Sequence, residues 1–148
     1  MKNNYNFDYV ILYLILFQPY LCLKKGMIVK MKVLLVNGSP HKEGCTYTAL
    51  TEVQKTLNEQ GIDTEIFWIK NKPIGGCIAC LSCREKGKCV FDDVVNEFAE
   101  KMKEADGFIF GTPVHYAGAS GNMTAFMDRV FYSTACGGHS DYYMYKPA

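Results

Sequence analysis

Apolar residues in this chain alternate between short unbroken runs and helical spacing, regularly so from residue 31 onward. Residues 32–36 (KVLLV) form a β-branched run suited to a strand buried on both faces. Tyr47, Leu50, Val53 and Leu57 then recur at helical spacing, and Gly61 stops that helix. Residues 64–69 (TEIFWI) read as a second strand. Asp92 or Asp93 caps a second helix, whose Val95, Phe98, Met102 and Ala105 share one face. Asp106-Gly107 ends it, and residues 108–110 (FIF) give a third strand. Met123, Phe126/Met127 and Val130 mark a third helix, and the tail from Cys136 reads as loop. The apolar stripes are core faces, whereas Glu97, Glu100, Lys101, Lys103 and Glu104 form a solvated face. No internal repeat or low-complexity segment interrupts the pattern. Alternating strands and helices predict an α/β fold with a parallel sheet and right-handed crossovers.

Residues 1–30 do not share this pattern. Residues 9–23 are apolar, but Gln18-Pro19 breaks the run, and it falls short of the roughly 20 residues of a spanning helix. A secretory signal needs a basic start and a small-residue cleavage site; here Asp8 follows Lys2, and the run ends in Leu23-Lys24-Lys25. Met27 and Met31 lie just before the first strand. The expectation is an N-terminal extension outside the fold, from an upstream extension or a mis-set start, with a membrane anchor as the minor alternative. The folded domain is expected over residues 31–148.

The length suits one domain, and aromatics are plentiful enough for a packed core. A net charge of +1 without a basic stripe argues against nucleic acid as a partner. Four of the seven cysteines crowd into residues 77–89. Without a secretory signal, this implies a reducing, cytoplasmic setting and thiols for metal or redox chemistry rather than structural disulfides.

Two loops carry candidate chemistry. The first, residues 37–46 (NGSPHKEGCT), joins the first strand to the first helix, where loop amides and the helix dipole make an anion site. It is not a Walker A loop: Gly38 and Gly44 are one residue too far apart, and Cys45 holds the lysine position. It also lacks the Gly-x-Gly-x-x-Gly of a dinucleotide fingerprint. What remains is a hydroxyl-rich loop for a single terminal phosphate. Ser39 and Thr46 supply hydroxyls, His41 and Lys42 add positive or polar character, and Gly44 permits a sharp turn. The plain alternative is a connection that binds nothing. Cys45 is either a reactive thiol at a helix start or a small residue that fits. The second loop is residues 112–118 (TPVHYAG). In a doubly wound sheet of order 2-1-3-4-5, the first and third strands are neighbours at the switch point, and ligands bind outside their carboxyl ends. Both loops would then face one crevice. No protein acid or base is assigned. His115 is the one candidate, because histidine titrates near neutrality, and a solvent-facing loop histidine is its plain alternative.

Cys77, Cys80 and Cys83 follow C-x2-C-x2-C, and Cys89 closes the set with Gly87 permitting the turn. Four thiolates suit a [4Fe–4S] cluster or tetrahedral zinc, and overlapping spacing favours the cluster over zinc. Redox thiols and inert thiols stay open, since spacing alone does not identify a metal.

Three segments together resemble the NADPH-dependent FMN reductase and iron–sulfur flavoprotein family of the flavodoxin-like superfamily. They are Val36-Asn37-Gly38-Ser39-Pro40 with Gly44-Cys45-Thr46, Gly111-Thr112-Pro113-Val114-His115-Tyr116, and Gly76-Cys77-Ile78-Ala79-Cys80-Leu81-Ser82-Cys83 closing at Cys89. The likeness runs from Met31 to the C-terminus. It implies a flavodoxin-like doubly wound parallel sheet. It implies FMN, with the phosphate at Ser39, His41, Gly44, Cys45 and Thr46 and the ring against Pro113, Val114, His115, Tyr116 and Gly118. It implies a cluster motif at Cys77, Cys80, Cys83 and Cys89, near the flavin crevice or a partner subunit. NAD(P)H as donor and a flavin, quinone or similar small acceptor follow from the same resemblance, as does a homo-oligomer. A second reading is an electron carrier with FMN and a cluster; a third is a non-catalytic remnant with a structural metal or empty thiols. The family's sheet has five parallel strands, whereas this chain supplies three, with three helices. Tyr145-Lys146-Pro147-Ala148 resembles the entrance to the fourth. The expectation is a domain truncated before strands four and five, with the third strand's edge uncovered and prone to association.

Overall fold

The computed structural model describes residues 10–14 and 30–144. Its strands are Val10–Leu14 (β1), Lys32–Asn37 (β2), Asp63–Trp68 (β3), Gly107–His115 (β4) and the two-residue Gly118–Ala119 (β5). Its helices are Cys45–Glu59 (α1), Ser82–Lys86 (α2), Val94–Met102 (α3) and Gly121–Cys136 (α4), followed by a 3-10 turn at Ser140–Tyr142. The sheet order is β1-β4-β2-β3, with β5 paired to β4. Strand β2 runs parallel to both β3 and β4. The first and third strands expected from the sequence are therefore neighbours, as a flavodoxin-like sheet requires.

Burial follows from the period of the strand. Leu34 and Val36 of β2 point into a core built with Phe98 of α3 and Met123, Phe126 and Val130 of α4. Val33 and Leu35 point the other way, against Leu50 of α1, with Val53 and Leu57 alongside. Helix α1 thus covers one face, and α3 and α4 cover the other. Phe98 sits at the centre of the larger core, its ring centroid 5.1 Å from that of Phe67 and 5.2 Å from that of Phe126. Complete burial of such a side chain contributes about 1.5–3 kcal/mol.

Four features depart from the sequence expectation. Val10–Leu14, expected outside the fold, pairs antiparallel with β4 in the register Leu12↔Gly111 and Val10↔Pro113. The β4 edge expected to be bare carries that strand, and an unpaired row of backbone groups is the physical reason a strand is held there. The remainder of the N-terminal extension (1–9 and 15–29) and residues 145–148, read as the entrance to a fourth strand, lie outside the described residues. Second, β4 runs through residues 112–115, expected as loop, because β1 flanks it and β5 folds back on it. Third, α1 starts at Cys45, so Cys45 and Thr46 belong to its first turn. Fourth, the cysteine-rich loop contains α2, which Gly87 ends in the left-handed conformation with its N–H bonded to Cys83 O. Among the described residues no helix is long and apolar enough to cross a membrane.

Candidate functional site

The carboxyl ends of β2 and β4 lie side by side, and short hydrogen bonds fasten their loops together. Gly38 N–H donates to Gly111 O at 2.8 Å. A Cβ at Gly38 would stand 3.1 Å from that oxygen and collide with Met123 Cε, so a larger residue there must displace the tip of that buried methionine. Ser120, the N-cap of α4, accepts from Met123 N, and its hydroxyl reaches Gly38 O at 3.4 Å. Thr112 Oγ1 lies 3.2 Å from Ser120 Oγ. Gly38, Gly111, Thr112, Ser120 and Met123 are all buried. The two candidate loops therefore meet at the strand ends, where the sequence placed a shared crevice.

Asn37 shapes the first loop from within. Its Oδ1 accepts from Ser39 N at 3.0 Å, and its Nδ2 donates to Lys42 O at 3.0 Å. Ser39 Oγ accepts from His41 N at 3.2 Å. A hydroxyl in that role keeps its own proton to donate. Trp68, at the end of β3, donates Nε1–H to Ser39 O at 2.8 Å. His41 and Lys42 are exposed, Gly44 is the N-cap of α1, and Thr46 is buried. The first turn of α1 carries no acidic side chain. This donor set suits a phosphate: hydroxyls, a histidine and a lysine at the positive end of a fifteen-residue helix.

The second loop is a hairpin. Val114 pairs with Ala119 and His115 with Gly118. The two-residue turn between them puts Tyr116 and Ala117 at φ 47° and 62°. Positive φ at both central positions marks a type I′ hairpin, normally built from Asn and Gly. Tyr116 is fully exposed at the tip, next to exposed His115, while Pro113, Val114 and Gly118 are half-buried.

The four motif cysteines line one pocket, together with Ile78, Leu81, Val90, Phe91, Arg129 and Tyr132. Cys77 and Cys80 are exposed, Cys83 is buried and Cys89 is half-buried. Ala79 and Leu81, flanking Cys80, both have positive φ. Hydrogen bonding to Ser82 draws the Cys80 thiol below its ordinary pKa. Burial, then the neighbouring Cys136, pushes that of Cys83 up. Among the described residues no three His, Cys, Asp or Glu side chains stand close enough to hold a single metal ion. A mononuclear site needs every sulfur about 2.3 Å from one centre. Four thiols lining one pocket are the donor set a cluster would use, with each thiolate on a different iron.

Side chains of α3 and α4 hold this loop in place. Asn122 accepts from Ile74 N and donates to Lys72 O, and Asp128 accepts from Cys77 N. Asn96 grips the Cys89 backbone at both N and O. Arg129 is buried and pairs with Asp93 at 2.7 and 3.0 Å. Burial works against its charge, but the hydrogen bonds to Asp93 and Cys89 outweigh that and raise its pKa. Sequence reading gave no role to Asn37, Thr112, Ser120, Trp68 or Arg129. Only Asn37, the first residue of the candidate loop, had a local signal: Asn bonds readily to backbone two residues on.

The profile of the NADPH-dependent FMN reductase family matches residues 31–148. An iron-sulfur flavoprotein of Methanocaldococcus jannaschii is 43% identical over 99 residues, covering 67% of this chain and 51% of the relative. One from Methanosarcina thermophila is 33% identical over 99 residues (67% and 52%), and one from Archaeoglobus fulgidus 34% over 100 (68% and 46%). The chain thus spans about half the length of the curated relatives it matches. No solved structure matches. With its β4-β2-β3 parallel core and its paired loops at the strand ends, the chain belongs to the NADPH-dependent FMN reductase family.

Proposed function

We propose that this chain forms the FMN-binding part of an oxidoreductase that passes electrons from a nicotinamide donor to a flavin, quinone or similar small acceptor. The observation that carries the reading is the braced loop between β2 and α1, joined to the end of β4 through Gly38 and Ser120. Bound FMN supplies the electron chemistry, and the protein supplies position and electrostatics. Ser39, Thr46 and the amides around Gly44 and Cys45 hold the phosphate, with His41 and Lys42 adding charge. Backbone groups of Pro113, Val114 and His115 meet the polar edge of the ring, while Tyr116 and Gly118 border it from the hairpin. No side chain is given a proton to transfer.

The thiol pocket favours a second component. The relatives are iron-sulfur flavoproteins by name, and the four cysteines line one pocket here. We infer a [4Fe–4S] cluster held by Cys77, Cys80, Cys83 and Cys89, which makes the chain an electron-transfer flavoprotein as well.

The test is the visible spectrum of the full chain purified anaerobically, followed by iron and sulfide analysis. A flavin band with stoichiometric iron and sulfide supports both components; flavin alone removes the cluster, and neither removes both. FMN should bind more tightly than riboflavin. Ser39→Ala should remove about 1.5–3 kcal/mol of that preference, the worth of a hydrogen bond to a charged group. Equal affinity for the two ligands in the unmutated chain would sink the phosphate assignment. Steady-state oxidation of NADPH against NADH tests the donor.

A further inference from the structure

We propose that Arg129 is a positioning residue for the cluster, setting its potential through the Cys89 corner; this rests on the cluster reading above. The guanidinium is buried on α4 and its donors are divided. Two go to the Asp93 carboxylate. Nε and an Nη2 hydrogen go to Cys89 Sγ, at 3.4 and 3.2 Å. A third contact reaches Gly75 O at 3.4 Å, and the Phe91 ring lies 4.8 Å from Cζ.

An ion pair with Asp93 alone would explain the burial of Arg129, since a buried cation needs a partner. It does not explain two donors on one sulfur. A neutral thiol is a weak acceptor, so little is gained by aiming a guanidinium at it. A metal-bound thiolate carries negative charge, and charge-assisted hydrogen bonds to it are the strong kind. The Cys89 backbone is fixed as well, by Asn96 at N and at O. Cys89 is thus held at its backbone by α3 and at its sulfur by α4. Cys80, by contrast, has only neutral Ser82 as its principal hydrogen-bonding neighbour. Lys86 acts on Cys80 through its field, whereas Arg129 hydrogen-bonds the Cys89 sulfur directly.

Hydrogen bonds to ligating sulfurs and local charge set cluster potentials. Reduction adds an electron, so a cation at one ligand favours the reduced state and raises the potential. Asp93 works in the opposite direction, because its carboxylate offsets the Arg129 charge. The two residues form a charge pair whose members shift the potential with opposite signs.

The experiment is a redox titration of the anaerobically reconstituted full chain, followed by the EPR signal of the reduced cluster. Arg129→Gln should move the midpoint to more negative values. Arg129→Lys, which keeps the charge but loses the planar fork, should fall between it and the parent. Asp93→Asn keeps a helix-capping side chain and the arginine, and should move the midpoint to more positive values. A merely structural role would change the amount of cluster retained without producing opposite shifts in the fraction that is loaded. Should Arg129→Gln retain no iron, Arg129→Lys and Asp93→Asn still carry the test of sign. Midpoints unchanged from the parent, or shifts of one sign for both Arg129→Lys and Asp93→Asn, overturn the proposal. A parent chain that takes up no iron and sulfide overturns the cluster reading and this proposal together.

Discussion

The crevice at the strand ends and the thiol pocket are held by different means. The crevice stands on three parallel strands, and its bonds run between backbone and short side chains such as Asn37, Thr112 and Ser120. The thiol pocket lies on a long excursion between β3 and α3, most of it exposed. Its backbone adopts positive φ at Lys70, Ala79 and Leu81, none of them glycine. What fixes it are side chains from α3 and α4: Asn96, Asn122, Asp128 and Arg129. A site built on sheet ends is shaped before any ligand arrives. One tied down by distant side chains depends on a few of them, and a single change can loosen it while the crevice stays intact.

The largest effect expected from this difference is at Asp93. Asp93→Ala removes the partner of a buried guanidinium and the N-cap of α3 together. Breaking a buried pair costs about 3 kcal/mol, the low end of its range because Asp93 is itself partly exposed. Hydrogen exchange should rise across residues 74–92 and leave 37–46 protected. Equal loosening of both regions would erase the distinction. Next is Asn37→Ala, which strips two bonds from the other region. Leaving Ser39 N and Lys42 O without that partner should cost about 2 kcal/mol in a urea melt. The exchange pattern should be reversed, with the crevice loop loosened first.

A smaller contrast lies inside the thiol pocket. The Cys80 thiol is drawn down by Ser82, and that of Cys83 is raised by burial and Cys136. In the reduced, metal-free chain at neutral pH, Cys80 should alkylate faster than Cys83. The gap should narrow as pH rises through the ordinary thiol range, because both then become thiolate. Site-resolved mass spectrometry reads the order, and faster labelling of Cys83 would contradict it. The smallest effect is in the hairpin. Ala117→Gly relieves a positive φ and should stabilise the chain by about 0.5–1 kcal/mol in thermal melts. A loss of stability there would mean that the alanine methyl packs usefully in that turn.

The parallel strands and the three long helices were legible because each buries a periodic set of side chains, Val33 to Val36 and Leu50 to Leu57 among them. Convergence of the two loops was legible too, since strand order follows from alternating elements. The strand at Val10–Leu14 was not: its run has no partner nearby in sequence, and only the edge of β4 gives it one. Extension of β4 past Gly111 was hidden by Pro113. That residue lies beyond the last β2 pair, where a missing N–H costs the ladder nothing on that side. Arg129 carried no local signal at all. Its partners, Asp93 and Cys89, are 36 and 40 residues away, and only the packing of α4 against α3 joins them.

The bond from Trp68 to Ser39 gives the crevice an optical reporter. Trp68 is the chain's one tryptophan, and its indole N–H is fastened to the carbonyl of the loop assigned to phosphate. Indole emission shifts with the polarity and hydrogen bonding around that nitrogen, so tryptophan emission excited beyond the tyrosine band is a signal from one loop. Filling or loosening the loop changes intensity and wavelength before global unfolding does. A flavin seated beside it would quench the same emission by energy transfer. Ligand binding and local opening can thus be followed in the unlabelled protein.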